Sequence, residues 1–206
     1  MDRTELGIDE AGRGPVLGPM VMAGVLVPQS GQALLESWGV KDSKSFGSSA
    51  RGQERRKELA ARIMASYRCE LIILSAETID TYVREHALNR LEQETARKIM
   101  SAMPANGVIL DGASLFKPLL DKTVRALNKA DQTHLSVAAA SILAKWKRDS
   151  LFKQLCRPFL GAFGEIQGGG YANSKTLAFV EWHLKTRGEL PPFYRKSYRW
   201  KALGLD

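Results

Sequence analysis

The chain has few of the residues and segments that mark secreted, membrane-spanning or repetitive proteins. Its two cysteines, Cys69 and Cys156, have no metal-site spacing and are too few for a disulfide framework, which favours a reducing compartment. No apolar run approaches the roughly 20 residues that span a bilayer, and Asp2, Arg3 and Glu5 open the chain in place of a signal peptide. We find no internal repeat and no low-complexity segment. These absences indicate a cytoplasmic protein without a membrane partner.

The composition is that of an ordinary globular domain with an excess of positive charge. Hydrophobic residues make up 44% of the 206 residues and charged residues 25%, so a sizeable core can form. A single domain of this length buries roughly 70% of the surface of its unfolded chain. The 30 lysines and arginines outnumber the 22 aspartates and glutamates, and the resulting net charge of +8 favours polyanionic partners.

Residues 6–19, L-G-I-D-E-A-G-R-G-P-V-L-G-P, set two adjacent carboxylates before a glycine-containing turn. The first residues alternate as in a short strand that ends with Asp9 and Glu10, and Gly12 and Gly14 then break the pattern. Neighbouring side chains on a regular strand point to opposite faces, so the two acids share a site only if the backbone bends there, which the glycines permit. The alternative is a strand end with two solvated acids.

Two further acids follow predicted strands. The apolar strand 108–110 ends in Asp111, beside a glycine, and a short strand over 123–127 leads to Asp131 at the start of a long helix over 133–155. An aspartate before a helix is also typical of an N-cap, which is the alternative for Asp131. The recurrence of acids at strand ends predicts that they meet at one edge of a sheet.

Four carboxylates at one edge of a sheet repel one another unless cations lie between them. Oxygen ligands favour hard divalent ions, Mg²⁺ or Mn²⁺. Two such ions about 3.5–4 Å apart can activate a water and stabilise the leaving oxygen of a phosphodiester. In a basic protein, Asp9, Glu10, Asp111 and Asp131 therefore predict a metal-dependent nuclease.

The rest of the chain alternates predicted helices with strands. The nearly continuous apolar run 20–27 is typical of a strand buried on both faces, and we expect it to pair with the first strand as a hairpin. Small residues at 138–141 indicate that another element packs closely on the long helix. Further helices are predicted over 33–38, 48–67, 77–83, 88–103 and 174–187, and a strand over 69–74. This order predicts an α/β domain with a mixed sheet.

Two basic segments are candidate contacts to a nucleic acid, and a glycine-rich loop lies between them in the sequence. Residues 41–45, K-D-S-K-S, form a small basic loop that faces either a phosphate or solvent, and residues 168–171, G-G-G-Y, form a flexible loop. Residues 194–201 combine four basic and three aromatic side chains without an acid, which suits either nucleic-acid contacts or a tail docked by its aromatics. We interpret His134 and His183 as structural.

Six motifs occur in order along the chain: G-I-D-E-A-G-R-G-P-V-L-G-P at 7–19, D-S-K at 42–44, L-D-G at 110–112, K-A-D at 129–131, S-V-A-A-A-S-I-L-A-K at 136–145 and G-Y at 170–171. Together they resemble the type 2 ribonucleases H, specifically the ribonuclease HII family, over most of the chain. The resemblance implies an RNase H-like mixed sheet flanked by helices. It implies a single domain over 1–206, with a core over about 1–165 and a small helical and basic extension over about 166–206.

The resemblance also implies an activity and a catalytic set. Asp9, Glu10, Asp111 and Asp131 would bind two Mg²⁺ or Mn²⁺ ions. The implied enzyme is an endonuclease that hydrolyses the RNA strand of RNA–DNA hybrids. It also incises on the 5′ side of single ribonucleotides in duplex DNA and leaves 3′-hydroxyl and 5′-phosphate ends.

Substrate contacts follow from the same resemblance. Gly12, Arg13 and Gly14 form the family's G-R-G motif, whose backbone reads a ribose 2′-hydroxyl. Tyr171 would pack on the sugar of the following deoxynucleotide, and Lys44 would contact a phosphate.

The chain departs from related patterns at three places. The sister type, ribonuclease HIII, normally lacks the G-R-G triplet and carries an extra N-terminal domain, and the sequence differs from it on both counts. Residues 172–174, A-N-S, stand where the family often has proline and threonine. The ending P-P-F-Y-R-K-S-Y at 191–198 resembles the archaeal and eukaryotic branch, but no sliding-clamp-binding peptide is evident beyond it. A sliding-clamp partner is therefore not supported by the sequence. We expect a monomer.

Two other functions are compatible with parts of the pattern. A different two-metal nuclease on the same fold would share the carboxylates but not the pairing of G-R-G with the tyrosine. A catalytically silent nucleic-acid-binding module would use the acids as caps and turns.

Overall fold

The computed structural model describes residues 2–40, 46–47 and 49–204, which form an α/β structure. Its α-helices are α1 (Gln32–Ser37), α2 (Ala50–Ser66), α3 (Ala76–Arg84), α4 (Leu88–Ala102), α5 (Leu135–Cys156), α6 (Leu160–Phe163) and α7 (Ser174–Arg187). None of the helices in these ranges is long and apolar enough to cross a membrane. The bounds of α7 are those predicted, because Asn173 caps its first turn and Gly188 ends it with a φ of 75°.

The strands form one mixed sheet. Strand β1 (Thr4–Ala11) pairs antiparallel with β2 (Met20–Pro28) and parallel with β4 (Gly107–Asp111). Strand β4 pairs parallel with β5 (Val124–Leu127), and β3 (Arg68–Leu74) lies at the far edge, in the order β3-β2-β1-β4-β5. The predicted hairpin and mixed sheet are confirmed. Because β1, β4 and β5 run parallel, their carboxyl ends lie at the same edge of the sheet.

Helix α5 lies close to β1 because both contribute small residues at the crossing. A Cβ on Gly7 would lie 2.1 Å from the carbonyl carbon of Ser136, so a larger residue cannot occupy this position without moving the helix. Residues 138–140, three alanines, are buried in the core cluster on this side of the sheet. The predicted close packing on the long helix is confirmed. Side chains alternate along a strand, so Asp9, two residues after Gly7, faces α5.

The opposite face of the sheet carries a second core cluster. Leu6 and Ile8 are fully buried there, together with Ile99 and Met103 of the α4 region. A Cβ on Gly24 would lie 2.4 Å from the Ile99 side chain, so β2 also accepts α4 at close range. Apolar packing on both faces fixes β1 firmly and holds its carboxyl end in place.

The chain divides into two compact units. The first comprises Met1–Ala11, Val21–Ile72 and Asn89–Lys147, and it contains nearly all of the sheet. The second comprises Gly12–Met20, Ile73–Leu88 and Arg148–Asp206, and its core is rich in aromatic rings, including Phe152, Phe179 and Phe193. The four candidate catalytic carboxylates belong to the first unit, whereas the G-R-G motif and Tyr171 belong to the second.

Both histidines considered in the sequence have structural surroundings. The Nδ1 atom of His183 lies 2.7 Å from the carbonyl oxygen of Glu189, and its ring packs against Phe159. The Nδ1 atom of His134 lies 3.3 Å from a carboxylate oxygen of Glu5. These contacts agree with a structural role for both side chains, which stays a prediction.

Candidate active site

Asp9 is a buried carboxyl group at the carboxyl end of β1, with only 7% of its surface exposed. Burial raises the pKa of Asp9 to about 7, a hydrogen bond with Ser141 of α5 opposes the shift, and the neighbouring charges of Asp111 and Asp131 add to it. The three aspartates therefore interact electrostatically. Convergence of these acids into one metal-binding set stays a prediction.

Asp111 is hydrogen-bonded to the backbone of Ala130, the residue that precedes Asp131. Asp111 ends β4, and its Oδ1 atom accepts a hydrogen bond of 2.8 Å from the N–H of Ala130. Asp131 is buried within a short 3-10 turn, Ala130–Gln132, which follows Lys129 in the left-handed conformation at a φ of 58°. Helix α5 begins only at Leu135, so Asp131 does not occupy its N-cap position, and that alternative is wrong.

Glu10 differs from the sequence expectation in one respect. The predicted backbone bend does not lie between Asp9 and Glu10, because β1 continues to Ala11 and still pairs there with Val21. The chain leaves the strand at Gly12, where φ is 92°. Within the site, the Glu10 N–H donates a 2.8 Å hydrogen bond to Oδ1 of Asp9. Convergence of the Glu10 side chain with the three aspartates stays a prediction.

The donor set fits a hard divalent cation. Across the described ranges, no three histidine, cysteine, aspartate or glutamate side chains already form a group that could hold a metal ion. The three interacting aspartates offer only carboxylate oxygens, the ligands that Mg²⁺ and Mn²⁺ prefer. A cation among them would also offset the burial and the repulsion that raise the pKa of Asp9.

The G-R-G turn and Tyr171 lie side by side in the second unit. Gly12 is buried, and a Cβ there would lie 2.7 Å from the carbonyl oxygen of Pro19, whereas Arg13 and Gly14 are exposed. Tyr171 is 48% exposed, and its Cε1 atom lies 3.7 Å from the position of a Cβ on Gly14. An exposed backbone turn next to an exposed aromatic face suits a sugar ring.

The glycine loop that precedes Tyr171 is a defined turn, not the flexible loop predicted. Residues Gly168–Gly170 form a 3-10 turn in which all three glycines have positive φ. The Gly170 carbonyl oxygen accepts hydrogen bonds from the N–H groups of Val16 and Leu17. A Cβ on Gly170 would lie 2.8 Å from the carbonyl oxygen of Leu17, which explains the need for glycine.

Sequence reasoning missed the part played by Arg195. Its side chain is fully buried and donates hydrogen bonds to the carbonyl oxygens of Gly12 (2.6 Å), Arg13 (2.9 Å) and Gly18 (3.0 Å). The tail is held by buried Asp80, which accepts from the N–H groups of Lys196 and Ser197. Residues 194–201 are thus a docked segment, and the expectation that Arg195 faces nucleic acid or solvent is wrong. The sequence gives no local sign of this, because an arginine among aromatics is ordinarily solvated.

Arg148 of α5 is a second buried arginine. It donates hydrogen bonds to the carbonyl oxygens of Leu17 (3.2 Å) and Gly169 (2.6 Å). Its guanidinium lies 4.8 Å from the centre of the Phe152 ring and 6.0 Å from that of Tyr171. Arg148 therefore ties the segment after the G-R-G turn to the loop that carries Tyr171. Lys44 and the D-S-K motif lie outside the described residues.

Comparison with known proteins decides the family. A family model described as Ribonuclease HII matches residues 6–201. The chain belongs to the ribonuclease HII family. A ribonuclease HII from Methanothermobacter thermautotrophicus is 36% identical over 204 residues, which cover 94% of this chain and 95% of the relative. The protein is therefore an endonuclease of the ribonuclease H class, and the enzyme predicted from the motifs is confirmed.

Solved structures agree with the fold. The ribonuclease H2 of Pyrococcus horikoshii OT3 has a TM-score of 0.82 and 29% identity, covering 97% of this chain and 96% of that one. An Archaeoglobus fulgidus ribonuclease HII, solved in a complex with PCNA, has a TM-score of 0.80 and 30% identity, covering 95% of each chain. Bst-RNase HIII, solved with Mn²⁺, has a TM-score of 0.80 and 26% identity, covering 98% of this chain and 70% of that one. The predicted RNase H-like fold is confirmed.

Proposed function

We propose that this protein hydrolyses the RNA strand of RNA–DNA hybrids and incises on the 5′ side of single ribonucleotides in duplex DNA. It leaves 3′-hydroxyl and 5′-phosphate ends and uses two Mg²⁺ or Mn²⁺ ions, acting as a cytoplasmic monomer. The observation that carries the proposal is the interaction of buried Asp9 with Asp111 and Asp131. A buried cluster of like charges is costly unless a cation or proton compensates it.

The carboxylates would hold the ions. Asp9, Asp111 and Asp131 supply the oxygens, and Glu10 follows Asp9 directly in the chain. Ions held there would supply activation of a water and stabilisation of the leaving oxygen of a phosphodiester. The chain itself excludes bulk water from Asp9 and orients that carboxyl through Ser141 and the Glu10 N–H. The Mn²⁺ bound to the related Bst-RNase HIII supports a divalent ion here.

Ribose selectivity would come from the second unit. A 2′-hydroxyl is both a donor and an acceptor, so exposed backbone groups of residues 12–14 can distinguish ribose from deoxyribose. Tyr171 lies beside this turn and would pack on the next sugar. An added 2′-hydroxyl at that second sugar would need desolvation against the ring, so a deoxyribose is preferred there. These two contacts imply cleavage at RNA-to-DNA junctions.

The net charge of +8 suits a polyanionic duplex. The clamp complex describes the archaeal relative, and the activity proposed for this chain requires no clamp. Lys44 remains a candidate phosphate contact on the strength of its motif.

The test compares end-labelled duplexes that contain one ribonucleotide, four ribonucleotides, a continuous RNA–DNA hybrid or DNA alone. We expect wild-type protein with Mg²⁺ or Mn²⁺ to cut the first three, to cut 5′ of the single ribonucleotide, and to spare DNA. Efficient cutting of the hybrid without cutting at the single ribonucleotide would reduce the function to that of a general ribonuclease H. Cutting of DNA alone would favour the other two-metal nuclease, and cutting of none would favour a binding module.

A further inference from the structure

The G-R-G turn is held from behind by two side chains of the docked C-terminal segment. Arg195 uses separate nitrogens for Gly12 and Arg13, with Nη2 donating to the first carbonyl oxygen and Nη1 to the second. The hydroxyl of Tyr198 donates to the same Arg13 oxygen at 2.6 Å and lies 3.2 Å from Nη1. Two consecutive carbonyl groups are thus fixed by three donated hydrogen bonds.

Fixing a carbonyl group also fixes the next N–H group. In a planar trans peptide the C=O of one residue and the N–H of the following residue point in opposite directions. The Gly12 carbonyl therefore determines the direction of the Arg13 N–H, and the Arg13 carbonyl determines that of Gly14. Both carbonyls point towards the fully buried guanidinium, while Arg13 and Gly14 are exposed. The two N–H groups are directed away from the interior.

The guanidinium itself is strongly immobilised. Its Nε atom donates to Gly18, the backbone N–H of Arg195 donates to Val16, and its charge lies over the Tyr198 ring at 5.0 Å. Asp80 anchors the two residues that follow. A cation at the carbonyl end of a peptide also polarises the group and strengthens its N–H as a donor.

We propose that Arg195 is the positioning residue that aims the N–H groups of Arg13 and Gly14 at the ribose, with Tyr198 as its helper. The inference rests on the proposed function, because it assigns to Arg195 the geometry on which 2′-hydroxyl recognition depends. Arg195 touches no substrate. It acts through the backbone of residues 12–14.

The experiment measures binding of the duplex without its cleavage. Fluorescence anisotropy in EDTA gives the Kd for a duplex with one ribonucleotide and for the same duplex in DNA alone, and their ratio is the ribose discrimination. We expect Arg195→Met to lower this ratio roughly tenfold, the equivalent of one hydrogen bond, while affinity for DNA alone changes little. Arg195→Lys retains the positive charge but not the planar guanidinium with its several donors. We therefore expect its ribose discrimination to lie between those of Arg195→Met and wild type.

Two further variants separate positioning from stability and charge. Tyr198→Phe removes one hydroxyl donor to Arg13 and leaves the ring in place, so we expect a several-fold loss of discrimination with a nearly unchanged Tm. Arg199→Met removes an exposed cation from the same segment, and we expect it to weaken binding of both duplexes equally.

The outcomes are distinct. If wild-type protein does not discriminate, the proposed function fails and the positioning role fails with it. If wild type discriminates but Arg195→Met and Tyr198→Phe keep its ratio, only the positioning role is overturned. Should Arg195→Met not fold, Tyr198→Phe decides alone. An equal loss of ratio in Arg199→Met would show a general charge effect and would also overturn the inference.

Discussion

At the scale of single residues, the ionisation of Asp9 is governed by its surroundings. Burial and the charges of Asp111 and Asp131 raise its pKa to about 7, so the folded protein binds a proton that the unfolded chain has already lost. The free energy of unfolding therefore decreases as pH rises from about 3.8, the ordinary value, through 7. The stabilisation from this group is complete only below the ordinary pKa.

The decrease in the free energy of unfolding with rising pH leads to a prediction for metal-free protein. Asp9→Asn removes the ionisable group, so in EDTA the variant is expected to be more stable than wild type at pH 8. The difference in Tm between the variant and wild type shrinks towards pH 5. Each kcal/mol by which their free energies of unfolding differ corresponds to roughly 2–4 °C. Thermal melts monitored by circular dichroism at both pH values measure this. Millimolar Mg²⁺ at pH 8 is expected to raise the Tm of wild type more than that of the variant.

A melting difference between Asp9→Asn and wild type that is the same at pH 5 and pH 8 would contradict the raised pKa. An unchanged wild-type Tm in Mg²⁺ would argue against a cation site among these carboxylates.

Asp131 provides the corresponding test of catalysis. Asp131→Asn keeps the size of the side chain but removes one charge from the carboxylate group, so cleavage of an RNA–DNA hybrid is expected to fall by more than 100-fold. This loss exceeds the roughly 10–100-fold decrease in activity that follows mutation of a residue that only hydrogen-bonds to a metal ligand. Initial rates at saturating Mg²⁺ measure the effect. Asp121→Asn is the matched control, because Asp121 lies just before β5, where its Oδ1 accepts from the Thr123 N–H. Near-normal rates in Asp131→Asn would remove it from the catalytic set.

At the scale of secondary-structure elements, the crossing of β1 and α5 determines how closely Asp9 approaches the helix that carries Ser141. Gly7→Ala would introduce a Cβ 2.1 Å from the Ser136 carbonyl carbon. Such overpacking costs at least about 1–3 kcal/mol, and the helix must move away from the strand. We expect a lower Tm and a lower rate of cleavage together.

The control for this substitution is Gly161→Ala in α6. A Cβ there meets no atom within 4 Å, and alanine favours a helix more than glycine does. Urea unfolding of both variants gives the comparison. Equal stability of Gly7→Ala and wild type would show that the crossing tolerates a methyl group.

Elements were predictable where local chemistry determines them. The apolar run of β2 and the cap and stop residues of α7 act within a few positions, and they gave the correct strand and helix. Asp111 was placed correctly because a strand end and a glycine mark it in the sequence. Arg195 could not be placed, since its partner Gly12 lies 183 residues away and is a backbone oxygen without a side-chain signature. The backbone bend predicted beside Glu10 was misplaced. Strand β1 still pairs Ala11 with Val21, and the chain leaves the strand only at Gly12.

At the scale of the whole molecule, the charge of +8 is not uniformly available to a substrate. Arg195 and Arg148 are buried and bonded to carbonyl oxygens, so they add to the net charge without facing a duplex. Lys196, Arg199 and Lys201 of the docked segment are exposed. The electrostatic contribution of this segment to binding therefore comes from these three side chains and not from Arg195.

We predict that the double substitution Lys196→Gln and Arg199→Gln weakens duplex binding and flattens its salt dependence. Each lost phosphate contact lowers the slope of log K against log salt by roughly 0.9, so the largest expected change is about 1.8. The matched control is Arg3→Gln with Lys122→Gln. These exposed cations precede β1 and β5, at the sheet edge opposite Asp9 and Asp111, and their removal changes net charge equally. Anisotropy titrations at several salt concentrations in EDTA compare the two pairs. Equal slopes in both double variants would attribute binding to the overall charge, whereas a change confined to Lys196 and Arg199 would place a phosphate contact on the docked segment.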